Sequence, residues 1–400
     1  PYSSGVSSIM SRILVDQIRS NSASADAMTL DGSGNVTFPA NVTCSGTATG
    51  FGGRLQNNLI INGAMQVAQR GTSSTDNVYG SVDRFAVVSS NVDEAPTQAQ
   101  VDVASGTTPY SLGFRKAFKI TNGNQTSGFG SQDSIEFRYR VESQDVATSG
   151  WNYTDSNSFI TLSFWVKSSV SFNMKGYFFT HDNSYNYPLE TGTLTADTWT
   201  KITKTIPGNS NLVFNNDNGA GISISFGVYG TFFSSGNPSV NQWVAYSSAT
   251  LTNPSESTWY TTNDATLEFT GMQLEVGSVA TDFEHRSFGQ ELALCQRYYQ
   301  VLANTDEDII GTGYGKASGY CYVGRPLLVE MRVKPTLDDQ TSGSTRYRAN
   351  ANVNDNTGTA ASLDSVVCNN KMLSIVFQGF SGLSDGTGVT VRKQGSSARF

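Results

Sequence analysis

At 400 residues, the chain is long enough for two or three domains. With a formal net charge of −7, it is too acidic to bind along the phosphate backbone of a nucleic acid. Charged residues make up only 15% of the sequence, whereas glycine (39 residues) and aromatic residues (11%) are abundant, which is typical of short strands joined by tight turns. This composition excludes a disordered chain and disfavours nucleic acid as a partner.

Residues 1–53 are predicted to form an extended N-terminal arm. Its apolar piece ILVDQI (residues 13–18) follows Met10, a possible native start, and is too short to be stable unless it packs against something. LDGSGNVTF (residues 30–38) predicts a hairpin with an Asp-Gly turn, and SGTATGFGG (residues 45–53) is typical of a flexible linker. We interpret this arm as an attachment segment, and the alternative is a tail plus linker without function.

Residues 54–286 show sustained alternation of apolar and polar side chains. Period-2 alternation with one polar face is typical of antiparallel sheets that pack as a sandwich. Sequence spacing shows no fixed repeat, which argues against a parallel β-helix or a propeller. We therefore predict a jelly-roll β-sandwich. The clearest strands are SIEFRYRVE (134–142), FITLSFWVKS (159–168), ISISFGVYG (222–230) and ATLEFTGMQLEV (265–276).

Residues 287–400 are predicted to form one short connecting helix and a smaller β-rich distal domain, a second sandwich or barrel. The helix begins near Ser287 or Gly289, and its apolar side chains recur at helical spacing. The fold class is thus all-β, with one short connecting helix. The expected distal strands are GTGYGKASGYCYVG (311–324), LLVEMRVKP (327–335), KMLSIVFQGF (371–380) and VTVRK (389–393).

The four cysteines (Cys44, Cys295, Cys321 and Cys368) are scattered and form no CxxC pair. We expect free, mostly buried thiols in a protein assembled in a reducing cytoplasm. The sequence has no run of about 18 apolar residues, so membrane insertion is not predicted, and no signal peptide is recognisable. An external type of protein without a secretion signal fits a component of a virion.

Only two histidines are present, so His-based triads and multi-histidine metal sites are nearly excluded. His285 is expected to make a structural contact, whereas His181, beside Asp182, is a candidate ligand contact. Glycoside hydrolysis needs only two carboxylates about 5–10 Å apart, so it stays open as an alternative to a protein without catalysis. The available acids are Glu136, Glu142, Asp145, Glu190 and Glu268.

Outward aromatic side chains favour glycan binding more strongly. Trp165 and Tyr229 fall on the polar faces of their strands, where flat rings beside polar groups suit a pyranose. With Arg138 and His181 they form the predicted glycan-binding set; packing under loops or against a neighbouring subunit is the alternative. No cofactor is predicted, and the loops DGSGN (31–35) and NNDNG (215–219) are too loose to define a structural calcium site.

Five segments, in order along about 240 residues, resemble bacteriophage tail-fibre and other virion-fibre proteins. The resemblance implies a jelly-roll body similar to carbohydrate-binding modules, a distal domain directed towards the host, and a homotrimer attached to other virion proteins by its N-terminal arm. The segments are NNLIINGAMQVAQRGTS (57–73), VDRF (82–85), SFWVK (163–167), TWTKITKTIPG (198–208) and GMQLEVGSVATDFEHRSFGQELALCQRYYQ (271–300).

The shared segments are interpreted as framework, and none supplies a sugar-binding residue. Asp83 and Arg84 are expected to form a buried ion pair or a clamp on a loop, and residues 273–277 are expected to close the sandwich. The first function hypothesis is a trimeric virion fibre that recognises a host glycan or protein receptor without catalysis. A purely structural or adaptor fibre, of tail or capsid, and a polysaccharide-degrading tailspike are the alternatives. The full framework set is Asn62, Asp83, Arg84, Gln273, Glu275, His285 and Arg286.

Overall fold

The computed structural model describes residues 17–18, 28–30, 32, 36–37, 58–316, 319–338, 346–351, 354–363, 368–381 and 383–394. The chain divides into two compact units, residues 1–55 and residues 56–400. In the first unit, β1 (Gln17–Ile18), β2 (Met28–Leu30) and β3 (Val36–Thr37) form an antiparallel sheet. The pairing of β2 with β3 confirms the predicted hairpin, whereas Met10, Cys44 and the predicted linker lie outside the described residues.

The second unit begins with an antiparallel sandwich of two six-stranded sheets. The front sheet has the order β14-β11-β10-β13-β8-β5 and the back sheet the order β12-β9-β15-β7-β6-β4. Its strands are β4 (Ser73–Ser74), β5 (Phe85–Ser90), β6 (Thr97–Asp102), β7 (Lys116–Thr121), β8 (Ser134–Glu142), β9 (Phe159–Ser168), β10 (Phe172–Thr180), β11 (Tyr185–Leu194), β12 (Thr200–Pro207), β13 (Ala220–Tyr229), β14 (Val244–Ala245) and β15 (Thr266–Val276).

Helical turns are confined to the connections of the sandwich. They are α1 (Thr108–Ser111), α2 (Ser143–Ala147) and α3 (Thr258–Thr261), with two 3-10 turns at Thr231–Ser234 and Ser248–Thr250. Each is at most five residues long, too short to be stable without the sheets beneath it.

The core lies between the two sheets and follows the predicted alternation. Phe137 of the front sheet stacks on Phe269 of the back sheet with ring centroids 4.3 Å apart, and Phe164 meets Phe226 at 4.8 Å. All four rings are fully buried. Burying one such side chain stabilises the fold by about 1.5–3 kcal/mol, so these contacts hold the two sheets together.

The outer face of the front sheet differs from the expectation of a polar, solvent-exposed face. β13 is buried along nearly its whole length, including Ser223 and Ser225, which point away from the core. The cause is the connection at residues 230–257, which lies over the sheet: Leu251 packs with Tyr177 and Tyr229, and Asn186 donates hydrogen bonds to the carbonyls of Thr250 and Leu251.

The last strand of the sandwich leads directly into the connecting helix. The register of β15 against β9 shifts between Thr270 and Gln273, around Gly271, whose φ of +61° favours glycine. The helix α4 (Phe288–Gln296) begins after Ser287, which forms a capping box with Gln290. Its buried Glu291 accepts a hydrogen bond of 2.7 Å from the main-chain N–H of Asn62, so the helix is tied to the start of the sandwich.

The C-terminal region forms one seven-stranded antiparallel sheet, here called the C-terminal sheet, with the order β19-β18-β22-β16-β17-β21-β20. One face covers its own core, in which Ile310, Val323, Ile375 and Val391 are buried. Its strands are β16 (Ile309–Lys316), β17 (Tyr320–Pro326), β18 (Tyr347–Ala351), β19 (Asn354–Gly358), β20 (Ala360–Leu363), β21 (Met372–Gln378) and β22 (Gly388–Lys393). The predicted all-β fold, a jelly-roll sandwich followed by a smaller β domain, is confirmed.

Residues 327–335, expected as a strand, form an irregular loop instead. The expected free thiols are confirmed for Cys295, Cys321 and Cys368, which are buried and unbonded to one another; burial raises the pKa of Cys321 to about 12. Within the described ranges, no helix has the length and apolar character needed to cross a membrane.

Candidate functional site

Tyr229 and Arg138 belong to a closed cluster on the outer face of the front sheet. Glu136 forms an ion pair with Arg138 and accepts hydrogen bonds from the hydroxyls of Tyr177 (2.9 Å) and Tyr229 (3.0 Å). We call these four residues the Glu136 cluster. Tyr229 is only 1% exposed, so the expectation that its ring faces solvent is wrong. Its position on the outer face is as expected, but Leu251 of the overlying connection covers it.

His181 lies just past the end of β10, beside the Glu136 cluster. Its Nε2 is 2.8 Å from the Ser223 hydroxyl, and its ring packs edge-on against Phe179. Burial, reinforced by the neighbouring charges of Arg140 and Arg138, lowers the pKa of His181 to about 4. The imidazole is therefore neutral at pH 7 and held in place by its contacts.

Trp165 lies on the other side of the sandwich from these residues. It is on β9 of the back sheet, where it is partly buried against a small cluster that contains Phe114 and Ala117. Packed sheets are about 10 Å apart, so Trp165 cannot share one glycan site with Arg138 and His181 on the front face. The structure brings three of the four predicted glycan-binding residues onto one face and leaves the fourth apart.

A pocket of about 640 Å³ lies where the front sheet meets the C-terminal region, and we call it the junction pocket. Its walls come from the end of β8, the start of β13, the turn after α4 and the loop at 331–338. Six cationic, two acidic and three tyrosine side chains line it: Arg70, Arg84, Arg140, Arg297, Arg332, Lys334, Glu142, Asp338, Tyr79, Tyr298 and Tyr299.

Glu142 joins the two walls of the pocket. Arg297 donates two hydrogen bonds of 2.9 Å to its carboxylate, and the Tyr298 hydroxyl and the Gln144 amide donate two more. Burial acts to raise the pKa of Glu142, but the hydrogen bonds from Arg297 and Tyr298 outweigh burial and hold it below the ordinary value. The carboxylate is therefore ionised and neutralises Arg297.

A second contact closes the pocket from the loop side. Arg332 donates to the carbonyl of Asn218 (2.8 Å), and the Asn218 amide donates back to the carbonyl of Arg332 (2.6 Å). The main-chain N–H of Arg332 also donates to the carbonyl of Arg297. These bonds explain why residues 327–335 do not continue the sheet: Arg332 is held by the turn before β13 and by the turn after α4.

The two arginines at the base of the pocket lie flat against tyrosine rings. The guanidinium of Arg84 is 3.4 Å from the centroid of Tyr298, and that of Arg70 is 3.7 Å from the centroid of Tyr299. Stacking of this kind holds planar cations in fixed orientations while their N–H groups stay available at the edges.

Asp83 and Arg84, expected as an ion pair or a loop clamp, are both buried and do not bond to each other. Asp83 accepts hydrogen bonds from the main chain and side chain of Gln69, whereas Arg84 donates to the carbonyl of Arg140. Burial raises the pKa of Asp83 against these hydrogen bonds and the nearby arginines. Asn62 donates to the carbonyls of Val67 and Asp83, which holds the same turn closed.

The other framework residues lie around the end of β15. Gln273 donates to Glu275, which in turn accepts from the main chain and hydroxyl of Thr281. Arg286 donates to the carbonyl of Ile60. His285 bonds to the carbonyl of Leu112 through Nε2.

Four of the five candidate acids are held in ion pairs. Besides Glu136 and Glu142, Glu190 pairs with Lys175 at 2.7 Å and Glu268 with Lys167 at 3.0 Å. Asp145 lacks such a pair among the described residues, and burial, with the charge of Glu142, raises its pKa. In the part of the chain that the structure describes, no group of three His, Cys, Asp or Glu side chains could hold a metal ion.

Sequence analysis did not predict the junction pocket, although part of its signal was visible. The doublet Tyr298–Tyr299 follows Arg297 directly, and an RYY run after a helix combines positive charge with aromatic character. The sequence predicts Arg84 as a framework residue, and Arg332 and Lys334 as parts of a strand. Their convergence depends on contacts between residues more than 200 positions apart.

No family model and no curated protein matches this chain. The chain is similar to the enzymatically active domain of tailspike protein 4 from bacteriophage CBA120 (9% identity, TM-score 0.30, covering 55% of this chain and 21% of that chain). It is also similar to TmCBM61 in complex with β-1,4-galactotriose (9%, TM-score 0.27, covering 56% and 100%) and to a family 11 carbohydrate-binding module from Clostridium thermocellum (11%, TM-score 0.25, covering 52% and 98%). The chain thus spans about a fifth of that tailspike chain, and likenesses this weak carry no functional conclusion.

Proposed function

We propose that the protein is a virion fibre protein that recognises a glycan on the host surface without catalysis, and that the junction pocket is its binding site. The observation that carries this proposal is the lining of the pocket. Tyrosine rings and arginine guanidinium groups line an open space there that is large enough for a sugar residue.

The chemistry of the lining suits a sugar. Aromatic faces cover the apolar face of a pyranose, and planar guanidinium and amide groups bind its hydroxyls. Tyr79 and Tyr299 supply rings, and the side chains of Gln300 and Asn218 lie among the polar lining. Both walls are fixed by hydrogen bonds, so little conformational entropy is lost when a ligand binds.

The absence of catalysis is part of the proposal, and the pairing of the acids supports it. Glycoside hydrolysis requires one protonated and one ionised carboxyl group across the scissile bond. Glu142, in the pocket, is ionised and occupied by Arg297 and Tyr298. Incubation with host polysaccharide should release no new reducing ends; their appearance would favour the polysaccharide-degrading tailspike.

Trimer formation and attachment to the particle through the N-terminal arm complete the proposal, with the protein located on the virion surface. The outer face of the C-terminal sheet supports self-association because four large side chains are exposed on it: Ile309, Tyr314, Tyr320 and Met372. The same exposed face favours the second candidate, a structural or adaptor fibre that uses protein–protein contacts. Particle mass in solution separates a monomer from a trimer.

Binding of the intact protein to host cells and to purified host polysaccharide tests the glycan site. Tyr79→Ala removes a ring from the pocket and should weaken binding about tenfold, the equivalent of a ring contact worth roughly 1.4 kcal/mol. Trp165→Ala removes a ring from the back sheet and should leave binding unchanged. Loss of binding in Trp165→Ala alone would move the site to the back sheet. Equal binding by the wild type and both variants would place the site outside the junction pocket, and no binding by the wild type would favour the adaptor.

A further inference from the structure

The junction pocket concentrates positive charge in an acidic protein. Its lining holds six of the 26 lysine and arginine residues, together with only two acids, whereas the whole chain carries a net charge of −7. Like charges that face one concave space repel one another, and low-dielectric walls strengthen that repulsion. Such an arrangement is costly unless a ligand of opposite charge relieves it.

Four of these six cations are not neutralised by any acid in the part of the chain that the structure describes. Arg297 is paired with Glu142, but Arg70, Arg84, Arg140 and Arg332 have no carboxylate oxygen within 4 Å among the described residues. The charge of Arg84 is the most costly of the four to leave uncompensated, because the residue is only 7% exposed and its Nε has no hydrogen-bond partner in the described part of the chain. The positive charge of Arg84 is therefore held at the wall of the pocket without a compensating carboxylate among the described residues.

Neither Asp83 nor Glu142 compensates these arginines. The carboxylate of Asp83 is directed to the main chain and side chain of Gln69. The carboxylate of Glu142 already accepts hydrogen bonds from Arg297, Tyr298 and Gln144. Arg70, Arg84, Arg140 and Arg332 all line the pocket, and none has a compensating carboxylate among the described residues.

We propose that the junction pocket selects glycans that carry an anionic substituent, a carboxylate, sulfate or phosphate ester, which the guanidinium groups of Arg84, Arg140 and Arg332 bind. This inference rests on the proposed glycan site and specifies the chemical class of its ligand. A guanidinium presents two parallel N–H donors that match the oxygens of all three groups. A neutral sugar needs the rings and amides of the pocket but leaves the four arginines uncompensated.

Matched pairs of polymers test the inference with the full-length protein. The probes are dextran against dextran sulfate, polygalacturonate against its methyl ester, and mannan against phosphomannan, each measured by biolayer interferometry at about 0.05 and 0.5 M salt. At least one charged member should bind about tenfold more tightly than its neutral counterpart at low salt, because hydrogen bonds between a guanidinium and an anion are stronger than those to a neutral hydroxyl. The preferred charged probe identifies the anionic group.

Substitutions of single arginines test whether the charged probe binds in the junction pocket. Arg140→Gln and Arg332→Gln should each weaken binding of the preferred charged probe about tenfold. Arg115→Gln removes the same charge near Tyr110, outside the pocket, and should leave binding unchanged. Equal loss in all three variants would show that net charge alone attracts the polymer and would overturn the inference.

The remaining outcomes separate the inference from the proposed function. If neutral and charged members bind equally and Tyr79→Ala weakens both, the glycan site stands and the anionic selectivity is wrong. If no polymer binds, sodium sulfate is the probe, with thermal unfolding as readout. Greater stabilisation of the wild type than of the Arg140→Gln, Arg332→Gln double variant would support an anion site and refute glycan recognition, whereas equal stabilisation would refute both.

Discussion

The Glu136 cluster and the junction pocket contain the same kinds of residue and share one strand, yet they have opposite characters. The outward side chains of β8 run Glu136, Arg138, Arg140, Glu142. In the first half, the acid and the base pair with each other beneath a covering connection. In the second half, the acid pairs with Arg297 from the C-terminal region, so Arg140 is left uncompensated beside an open pocket. Charge compensation and cover, not residue type, separate a structural cluster from a candidate binding site.

The largest test of this comparison is Glu136→Gln. The substitution leaves Arg138, whose side chain is 23% exposed, without its carboxylate and disturbs two tyrosine hydroxyls. The free energy of unfolding should therefore fall by about 3 kcal/mol, the lower end of the range for a broken buried pair. Denaturant titration measures the loss. Asp102→Asn is the matched control because Asp102 pairs with Lys116 at the surface and should cost less than about 1 kcal/mol. Equal losses would show that the Glu136 cluster is not the compensated structural unit inferred here.

Glu142→Gln should have a smaller effect than Glu136→Gln, although it breaks the ion pair between the front sheet and the turn after α4. Arg297 is about a third exposed, so solvent screens the pair and the expected loss is roughly 1–2 kcal/mol, with faster amide exchange in residues 297–300. The folded-state pKa of Glu142 is depressed below 4.5; its contribution is therefore complete above about pH 4.5 and is lost as the pH falls through the folded pKa. Wild type and variant should converge in acid, and a gap that persists there would contradict this role.

His181, just past the end of β10, lies near both Arg138 and Arg140 of β8, and the charges of these two arginines help to lower its pKa. Its folded-state pKa is lowered from 6.5 to about 4, so its contribution to stability is complete above pH 6.5 and is lost as the pH falls towards 4. After a discount for the part of the ring that solvent screens, the loss is about 1–2 kcal/mol. His181→Gln should remove this part of the pH dependence in denaturant titrations, and an unchanged wild-type profile in the variant would refute the assignment.

Much of this contrast could not be predicted from the sequence, although the strand itself could. Alternation in SIEFRYRVE placed Phe137 and Tyr139 in the core and Arg138 and Arg140 outside, because one strand determines its own two faces. It could not show that Leu251 covers Tyr229, since the cover comes from a separate connection. The same limit applies to residues 327–335: their alternation is strand-like, but their hydrogen bonds go to Asn218 and Arg297 instead of to the sheet.

The junction pocket was beyond prediction for a related reason. Arg70, Arg140, Arg297 and Arg332 are separated by long stretches of sequence, and each sits in a segment whose own pattern is ordinary. An arginine in such a segment is usually paired or solvated, and only the tertiary contacts show which of them lacks a carboxylate. Alternation predicts that Glu142 lies on the outer face of the sheet. That it pairs with Arg297 and not with Arg140 depends on where the turn after α4 packs.

The smallest expected effect on stability is the most discriminating. Arg138→Gln and Arg140→Gln make the same change two residues apart on one strand face. Arg138 is compensated by Glu136, so its loss should cost about 1.5–3 kcal/mol by leaving a buried carboxylate short of a partner. Arg140 has an exposed side chain and no paired acid among the described residues, so its loss should change the free energy of unfolding by less than about 0.5 kcal/mol. Relief of repulsion with Arg84 and Arg297 even favours a slight gain. Denaturant titration of the two variants side by side decides the matter. A large loss in Arg140→Gln would mean that its charge is compensated after all, and the contrast between the two halves of β8 would then disappear.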